Sequence, residues 1–273
     1  IDALSSLNYS GLDKIVQSGL QNEKSEVRVA SIGALSKLNI DENSLNEIVK
    51  PIIEKGLIRE KQRLINTLAN MPISKTEKVL GSMIDLMAAE KLDKELLLDL
   101  SEAVKKTNSE TLLAKLNANK KSDDWFEEFK MALFGGDFRE GRNIFNNNST
   151  AQCVRCHTTN PGAPSTVGPN LGKIGSKLTR EIILEALVKP SNRISPGFGQ
   201  VSLTLKDGQE ITGTLMSENE HEIVLATSDA EPTKVALSRI AKRENMPSSM
   251  PPMGNILSKR EIRDLVEYLA GMR

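Results

Sequence analysis

The amino-acid sequence predicts a mainly helical chain of two domains, with a small antiparallel β-sheet inserted into the second domain. Leu, Ile, Ala, Glu and Lys dominate the 273 residues and aromatic side chains make up only 3%, a composition that favours helices over a β-sandwich. Apolar residues recur at helical spacing over residues 1–120, whereas they alternate with polar residues between 200 and 240. The length suits two ordinary domains, and we place them at residues 1–120 and 121–273.

Three segments of the first domain have the apolar pattern of amphipathic helices: residues 25–38, 59–71 and 96–104. The ends of these segments recur at steps of roughly 33–35 residues, a period typical of helical solenoid repeats. Pro51 and Pro72 are expected to separate helices, because proline interrupts the helical hydrogen-bond ladder. The sequence therefore predicts stacked helical repeats, with an irregular helical bundle as the alternative.

Val27-Arg28 followed by Ala34-Leu35 resembles the second helix of a HEAT repeat. The resemblance implies a HEAT-like α-solenoid over residues 1–120. This region contains neither His nor Cys, so we expect it to act as a spacer or scaffold. The polar segment 119–124 is the expected joint between the domains.

Two capping boxes mark helices in the second domain. Asp137-Phe-Arg-Glu140 is expected to open one helix, and Ser258-Lys-Arg-Glu261 is expected to open the closing helix of the chain. Another helix is predicted from about residue 179 to 188. These helices flank the segment that carries the cysteines.

Between residues 200 and 240 the pattern changes to strand-like alternation. Four apolar runs are separated by polar residues, and Asp207-Gly208 between the first two runs is a hairpin signal. We expect a small antiparallel, barrel-like sheet inserted at about residues 199–242. Its pattern resembles small SH3- or Sm-like barrels, but it lacks the basic, aromatic-rich surface that would indicate RNA binding.

The chain has only two cysteines, Cys153 and Cys156, and His157 follows the second. One pair cannot form a disulfide framework for a chain of this length. In a Cys-x-x-Cys-His segment, both sulfurs can bond to the vinyl groups of one haem from a single turn, and the histidine can bind the iron. The motif therefore predicts one covalently attached haem c with His157 as an axial ligand.

Two other uses of paired cysteines fit this sequence poorly. A structural zinc site needs four ligands, and the remaining histidine, His221, lies far away in the sheet region. A thioredoxin-like redox pair follows a strand in a βαβ unit, whereas this motif follows a predicted helix and leads into a loop.

Residues 135–175 and 245–271 resemble a class I cytochrome c. In that family a first helix with Gly-x-x-x-Phe, here Gly141 and Phe145, crosses a last helix with Leu-x-x-Tyr, here Leu265 and Tyr268. The resemblance implies that the glycine lets the two helices approach closely while the aromatic rings fill the remaining space.

The Gly-Pro-Asn-Leu loop of class I cytochromes c is present at residues 168–171. The resemblance implies that the carbonyl group of Pro169 accepts a hydrogen bond from the second ring nitrogen of His157. Such a bond would orient the ring and tune its basicity.

The sixth iron ligand is expected to be a methionine before the closing helix, as in class I cytochromes c. Met246, Met250 and Met253 lie there. Met250 begins a Met-Pro-Pro segment that resembles the ligand loop of small bacterial cytochromes, so we expect Met250 as the ligand, with Met253 next. Alternatively the methionines only pack around the haem, and His221 is the least favoured ligand.

The order of several further segments indicates a more specific family among the c-type cytochromes. The segment from Lys189 to Phe198, then Asp207-Gly208, Gly213 and Ser249-Met-Pro, resembles the Pirellula/Verrucomicrobium-type haem-binding domain over residues from about 135 to 272. In that family the cytochrome ends long secreted proteins, often after helical repeats and downstream of a dehydrogenase module. The resemblance implies a periplasmic or otherwise extracytoplasmic location.

We therefore expect single-haem electron transfer with His and Met ligands, to or from a redox partner protein or an upstream dehydrogenase domain. A peroxidase-like haem enzyme, or a haem-based sensor with a displaceable sixth ligand, is the alternative. The balance of 36 basic and 36 acidic residues does not indicate nucleic-acid binding, and no apolar run is long enough to span a membrane. The chain starts at Ile1 without a visible signal peptide, so we expect a processed protein or a fragment.

Overall fold

A computed structural model of the protein describes residues 11–119, 125–165 and 167–273. The chain is mainly helical and contains one five-stranded antiparallel sheet. It divides into two compact units, Ile1–Gly135 and Gly136–Arg273. Residues 120–124, in the segment where we expected the joint, lie outside the described residues. No helix in the described ranges has the length and apolar character needed to cross a bilayer.

In the first unit, alternate helices pack against one another. The helices among its described residues are α1 (Leu12–Leu20), α2 (Ser25–Ala34), α3 (Glu42–Lys55), α4 (Ile58–Leu68), α5 (Ile73–Ala88), α6 (Leu97–Thr107), α7 (Glu110–Ala118) and α8 (Trp125–Phe129). Helix α2 contacts α4 and α4 contacts α6, while α3 contacts α5 and α5 contacts α7. A single apolar core runs through this unit, and its fully buried members include Val16, Leu45, Leu64, Leu80, Leu96 and Leu100.

Side-chain hydrogen bonds in this unit repeatedly join positions 30–36 residues apart. Glu60, for example, accepts from Ser25 at 2.8 Å and from Arg28 at 2.9 Å. The other pairs are Lys61 with Asp93, Lys75 with Asn39, Lys106 with Asn70, Ser109 with Glu77 and Lys115 with Asp85. The spacing matches the period seen in the apolar pattern.

The three predicted helices of this unit are confirmed as α2, α4 and α6. The prediction that Pro51 separates helices is wrong, because Pro51 lies inside α3. It removes one N–H from the ladder there, and the flanking turns keep the helix continuous. Pro72 does lie at a boundary, as the residue before α5.

In the second unit, α9 (Phe138–Asn147) crosses α11 (Lys259–Gly271), and α10 (Arg180–Val188) also packs on α11. The crossing of α9 and α11 depends on Gly141, since a Cβ atom there would overlap the backbone carbonyl of Asp264. The rings of Phe138 and Phe145 lie 5.2 and 5.7 Å from the ring of Tyr268, centroid to centroid. The close glycine contact and the aromatic filling are those expected from the sequence.

The two predicted capping boxes have different outcomes. Ser258 and Glu261 form the full reciprocal box at the start of α11. At α9 the Asp137 carboxylate accepts from the first-turn N–H groups as predicted. The expected return bond from Glu140 is wrong, because the N–H of Asp137 donates instead to the Asp264 carboxylate at 2.8 Å. A residue of the neighbouring helix α11 has replaced the local partner.

The sheet has the strand order β4-β3-β2-β1-β5, and every pair is antiparallel. The strands are β1 (Gln200–Leu205), β2 (Glu210–Glu218), β3 (Glu222–Ala226), β4 (Thr233–Ala236) and β5 (Ile240–Asn245). Alternate residues are buried along β1 and β3, as the period of two requires. The small core of the sheet comprises Ile194, Val201, Leu203, Leu205, Leu215, Ile223, Leu225 and Val235.

The hairpin signal at Asp207-Gly208 is confirmed. Gly208 has a φ of 89°, in the left-handed region that favours glycine, and the Leu205 N–H donates to the Gln209 carbonyl at 2.8 Å. Sequence analysis missed β5, an edge strand with charged residues in place of an apolar run. In this ordering β4 and β5 are the two edges, so hydrogen bonds do not close the described strands into a ring.

Candidate haem site

The Cys-x-x-Cys-His segment follows α9 through a tight turn organised by Asn148. The Oδ1 atom of Asn148 accepts from the N–H groups of Thr150 and Ala151, at 3.0 and 2.9 Å. The Asn148 carbonyl accepts from the Gln152 N–H at 3.0 Å. Gln152 has a φ of 46°, and the 3-10 turn Cys153–Arg155 starts directly after it. These bonds determine where the motif leaves the helix.

Both cysteines and the histidine project from one turn of backbone. The N–H groups of Cys156 and His157 donate to the same carbonyl, that of Cys153, at 3.2 and 2.9 Å. Neither cysteine forms a disulfide, and both are half-buried. One turn therefore presents two sulfurs and an imidazole, the set that covalent haem attachment requires.

Burial raises the pKa of the Cys153 thiol, and the neighbouring Cys156 adds a smaller effect in the same direction. Redox-active Cys-x-x-Cys pairs need the opposite, a lowered pKa that provides a thiolate at neutral pH. The environment of Cys153 therefore disfavours thiol-disulfide chemistry and leaves the sulfur as a protonated thiol.

The imidazole of His157 is held by the loop that follows the motif. Its Nδ1 lies 2.9 Å from the carbonyl oxygen of Pro169, the contact that the resemblance to class I cytochromes c implies. A carbonyl oxygen only accepts, so Nδ1 carries the proton and donates it. In the neutral ring the other nitrogen, Nε2, is then the one without a proton, and it can act as a metal ligand.

Gly168 lets this loop lie against the ring. A Cβ atom on Gly168 would come within 2.7 Å of His157 Cε1 and 2.9 Å of Nδ1, closer than van der Waals contact allows. The Gly168 N–H donates to the Cys156 carbonyl at 2.9 Å. The glycine therefore permits the hydrogen bond between His157 and Pro169 and also ties the loop to the motif.

Asn170 holds the loop in shape, a role that sequence analysis missed. Its Nδ2 donates to the carbonyls of Asn160 and Ala163, at 2.9 and 2.7 Å, and its Oδ1 accepts from the Gly172 N–H at 2.7 Å. The only sequence signal was its place in the Gly-Pro-Asn-Leu segment, because its partners lie up to ten residues upstream.

The candidate sixth ligands differ in burial. Met250 is half-buried in a bend of the loop, directly before two prolines. Met253 is only 4% exposed, in the turn Met253–Asn255, which packs on α10 and α11. Met246 is 42% exposed. His221 lies exposed in the turn between β2 and β3, where its N–H donates to Asn219 Oδ1 at 2.8 Å.

The structure thus brings Cys153, Cys156, His157 and Pro169 into one hydrogen-bonded cluster. Met250 lies outside this cluster, on its own loop, where its N–H donates to Ser248 Oγ.

The residues of the motif fit a covalent haem. Two half-buried cysteines outside any disulfide, and an imidazole held through its Nδ1, are the groups that haem c attachment uses. Val154, within the motif, and Val167, next to Gly168, are 51% and 62% exposed, and we call these two side chains the apolar margin of the site. Among the residues that the structure describes, no cluster of three or more His, Cys, Asp or Glu side chains is arranged to hold a metal ion alone.

Comparisons with protein-family models and with curated proteins found no match to this chain. The assignment of the site therefore depends on its geometry and on the chemistry of its residues.

Proposed function

We propose that this chain is an electron-transfer module carrying one haem c, attached through Cys153 and Cys156 and ligated by His157. The observation that carries the proposal is the turn that presents two cysteines outside any disulfide beside an imidazole oriented by the Pro169 carbonyl. When bound, haem iron would supply one-electron chemistry between the ferric and ferrous states. The protein supplies attachment, orientation and control of solvent access.

Pro169 and Gly168 prepare the histidine for this role. The Pro169 carbonyl holds the proton on Nδ1 and increases the electron density at Nε2, the ligating nitrogen. Gly168 lies against the ring edge and limits its rotation. A pre-oriented ligand loses little freedom on binding iron, which favours a stable axial bond.

Met250 is the proposed sixth ligand. It is half-buried on an irregular loop, so the residue is not fully packed into the protein interior. Met253 is almost fully buried, which suits a packing role for a flexible apolar side chain. Thioether ligation of a second axial position favours an electron carrier over a haem enzyme with an open site.

The architecture of the second unit supports assignment to the class I cytochrome c type, and specifically to the Pirellula/Verrucomicrobium-type domain. The crossing of α9 and α11 at Gly141 and the inserted sheet before Met250 are the relevant features. For the first unit, the packing of alternate helices and the side-chain bonds 30–36 residues apart support a HEAT-like solenoid.

We further propose an extracytoplasmic location, since covalent haem attachment keeps the cofactor on a protein that works outside the cytoplasm. The electron donor or acceptor is a redox partner protein or an upstream dehydrogenase domain. With no net charge, long-range electrostatic steering is weak. A small contact around the apolar margin formed by Val154 and Val167 is the expected docking mode.

The test is the mass and visible spectrum of the chain matured in a periplasm with haem-attachment machinery. We expect one covalent haem, a low-spin spectrum in both oxidation states, a weak Met–iron band when oxidised and no response to carbon monoxide. Met250→Ala should abolish the band and permit carbon monoxide binding. Met253→Ala, the matched control, should retain the band.

Other outcomes would overturn parts of the proposal. A high-spin spectrum with ready carbon monoxide binding would indicate haem catalysis or sensing instead of electron transfer. Loss of the band in Met253→Ala alone would transfer the ligand role to Met253. Failure to attach haem in a competent host would refute the proposal as a whole.

A further inference from the structure

The loop that carries Met250 is tied to a distant segment, Ser191 and Asn192, that follows α10. The Ser248 N–H donates to Ser191 Oγ at 3.0 Å, across 57 residues of sequence. The Met250 N–H then donates to Ser248 Oγ at 3.1 Å. Two serine hydroxyls in series therefore connect the end of α10 to the backbone of Met250.

Asn245, the last residue of β5, anchors the start of the same loop. Its Nδ2 donates to the carbonyls of Ser191 and Asn192, at 3.1 and 2.9 Å. Asn192 is itself tied to α10, since its side chain donates to Glu185 Oε1 at 3.0 Å. The last strand of the inserted sheet is therefore hydrogen-bonded to the segment after α10, directly before the methionine loop begins.

The prolines of the methionine loop limit the number of backbone N–H groups that can hold it in place. Pro247, Pro251 and Pro252 have no N–H to donate. Of the N–H groups between β5 and Pro251, that of Met246 donates to the Gln200 carbonyl at 2.9 Å. The N–H groups of Ser248 and Met250 donate to the serine hydroxyls. Residues 246–252 form neither helix nor strand, so these side-chain bonds restrain the loop in place of a regular backbone ladder.

We infer that Ser191, Ser248 and Asn245 are positioning residues for the Met250 thioether. The inference rests on the proposed function, since it assumes that Met250 is the sixth ligand. A methionine side chain is flexible, so the place of its backbone decides whether the sulfur stays at the iron. The inserted sheet then acts as a clamp that keeps the sixth position closed.

The test is imidazole binding to the full-length oxidised holoprotein, because imidazole competes with the thioether for iron. Its apparent affinity reports the fraction of protein in which the methionine loop has opened. Ser191→Ala removes one hydrogen bond of ordinary strength, so the apparent affinity should increase about five- to tenfold. Asn245→Asp, which loses the donor to both carbonyls, should change it in the same direction.

Two variants and one further measurement separate positioning from general destabilisation. Ser202→Ala is the matched control, since its hydroxyl accepts from Thr212 at 3.0 Å elsewhere on the sheet, and it should bind imidazole as the wild type does. Ser191→Thr, which keeps the hydroxyl, should restore wild-type affinity. Amide hydrogen exchange at Ser248 and Met250 should accelerate in Ser191→Ala but not in Ser202→Ala.

The outcomes separate this inference from the proposed function. If Met250→Ala loses the Met–iron band but Ser191→Ala and Asn245→Asp bind imidazole like the wild type, the proposed function stands and the clamp is refuted. If Ser202→Ala has the same effect as Ser191→Ala, the effect is general and the clamp is again refuted. If no haem attaches, or if Met250→Ala keeps the band, the proposed ligand set fails and the inference fails with it.

Discussion

Gly141 lies at the crossing of α9 and α11, and its replacement by alanine is the sharpest test of this packing. A methyl group there would overlap the Asp264 carbonyl and would approach Tyr268 Cβ to 2.7 Å. Neither obstacle is the end of a flexible side chain, so the two helices must separate. Gly81 in α5 provides the matched control, because its added methyl would lie 3.6 Å from Leu112 Cδ2, an ordinary contact.

The two substitutions should change the free energy of unfolding in opposite directions. Replacing glycine by alanine in a helix stabilises a protein by about 0.5–1 kcal/mol where space permits, and Gly81→Ala should show this gain. Overpacking a filled contact costs about 1–3 kcal/mol, and obstruction by backbone favours the upper end. Gly141→Ala should therefore lower the free energy of unfolding by about 2 kcal/mol after the helix gain is subtracted.

Urea unfolding followed by circular dichroism measures the free energy of unfolding, and amide hydrogen exchange locates the change. In Gly141→Ala, exchange should accelerate in α9 and α11 while the helices of the first unit keep their wild-type rates. If Gly141→Ala is as stable as the wild type, or gains stability as Gly81→Ala does, then the close approach of these helices is not a constraint and our argument is wrong.

Two further predictions follow from the environments of single residues. Gly168→Ala should displace the His157 ring and weaken its bond to Pro169, which raises the reduction potential of the holoprotein by about 20–40 mV for a bond of 0.5–1 kcal/mol; a redox titration that shows no shift would contradict the role of the loop. At Glu60, burial alone would raise the pKa, but hydrogen bonds led by the one from Arg28 outweigh burial and hold the pKa below its ordinary value. Its carboxylate therefore stabilises the fold above the unfolded-state pKa of about 4.3, and this stabilisation is lost as the pH falls through the lower pKa of the folded state. Glu60→Gln should show a smaller loss of stability on acidification below about pH 5 than the wild type, and unfolding measured across that range would refute the assignment if the two proteins lose stability equally.

Features encoded by neighbouring residues were predicted well from sequence. The three helices confirmed in the first unit, the capping box at Ser258 and the turn at Asp207-Gly208 all depend on short-range patterns. The close contact at Gly141 was implied by the resemblance to class I cytochromes c, because its partner Asp264 lies on a distant helix. Predictions failed where a tertiary contact overrode a local preference. The return bond expected from Glu140 is absent because the Asp137 N–H donates to Asp264, on another helix. Strand β5 was not predicted because an edge strand does not need the alternation of apolar and polar residues that marks a strand in the sequence.

Haem attachment could be predicted from sequence because the chemistry that it requires is local. Two sulfurs and an imidazole must leave one turn of backbone, so Cys153, Cys156 and His157 carry the whole pattern within five residues. The environment of the motif is non-local. The orientation of the His157 ring depends on Pro169, the shape of the loop depends on the amide of Asn170, and both act through contacts across a folded loop.

The bond between Ser191 and Ser248 joins residues 57 positions apart, with an entire sheet between them. No periodicity or motif in the sequence marks either serine. The structural role of a serine hydroxyl can be assigned only when its hydrogen-bond partner is known. Short-range chemistry was therefore sufficient to predict haem c as the cofactor. The folding of distant segments onto one another decided how the proposed ligands are oriented and held.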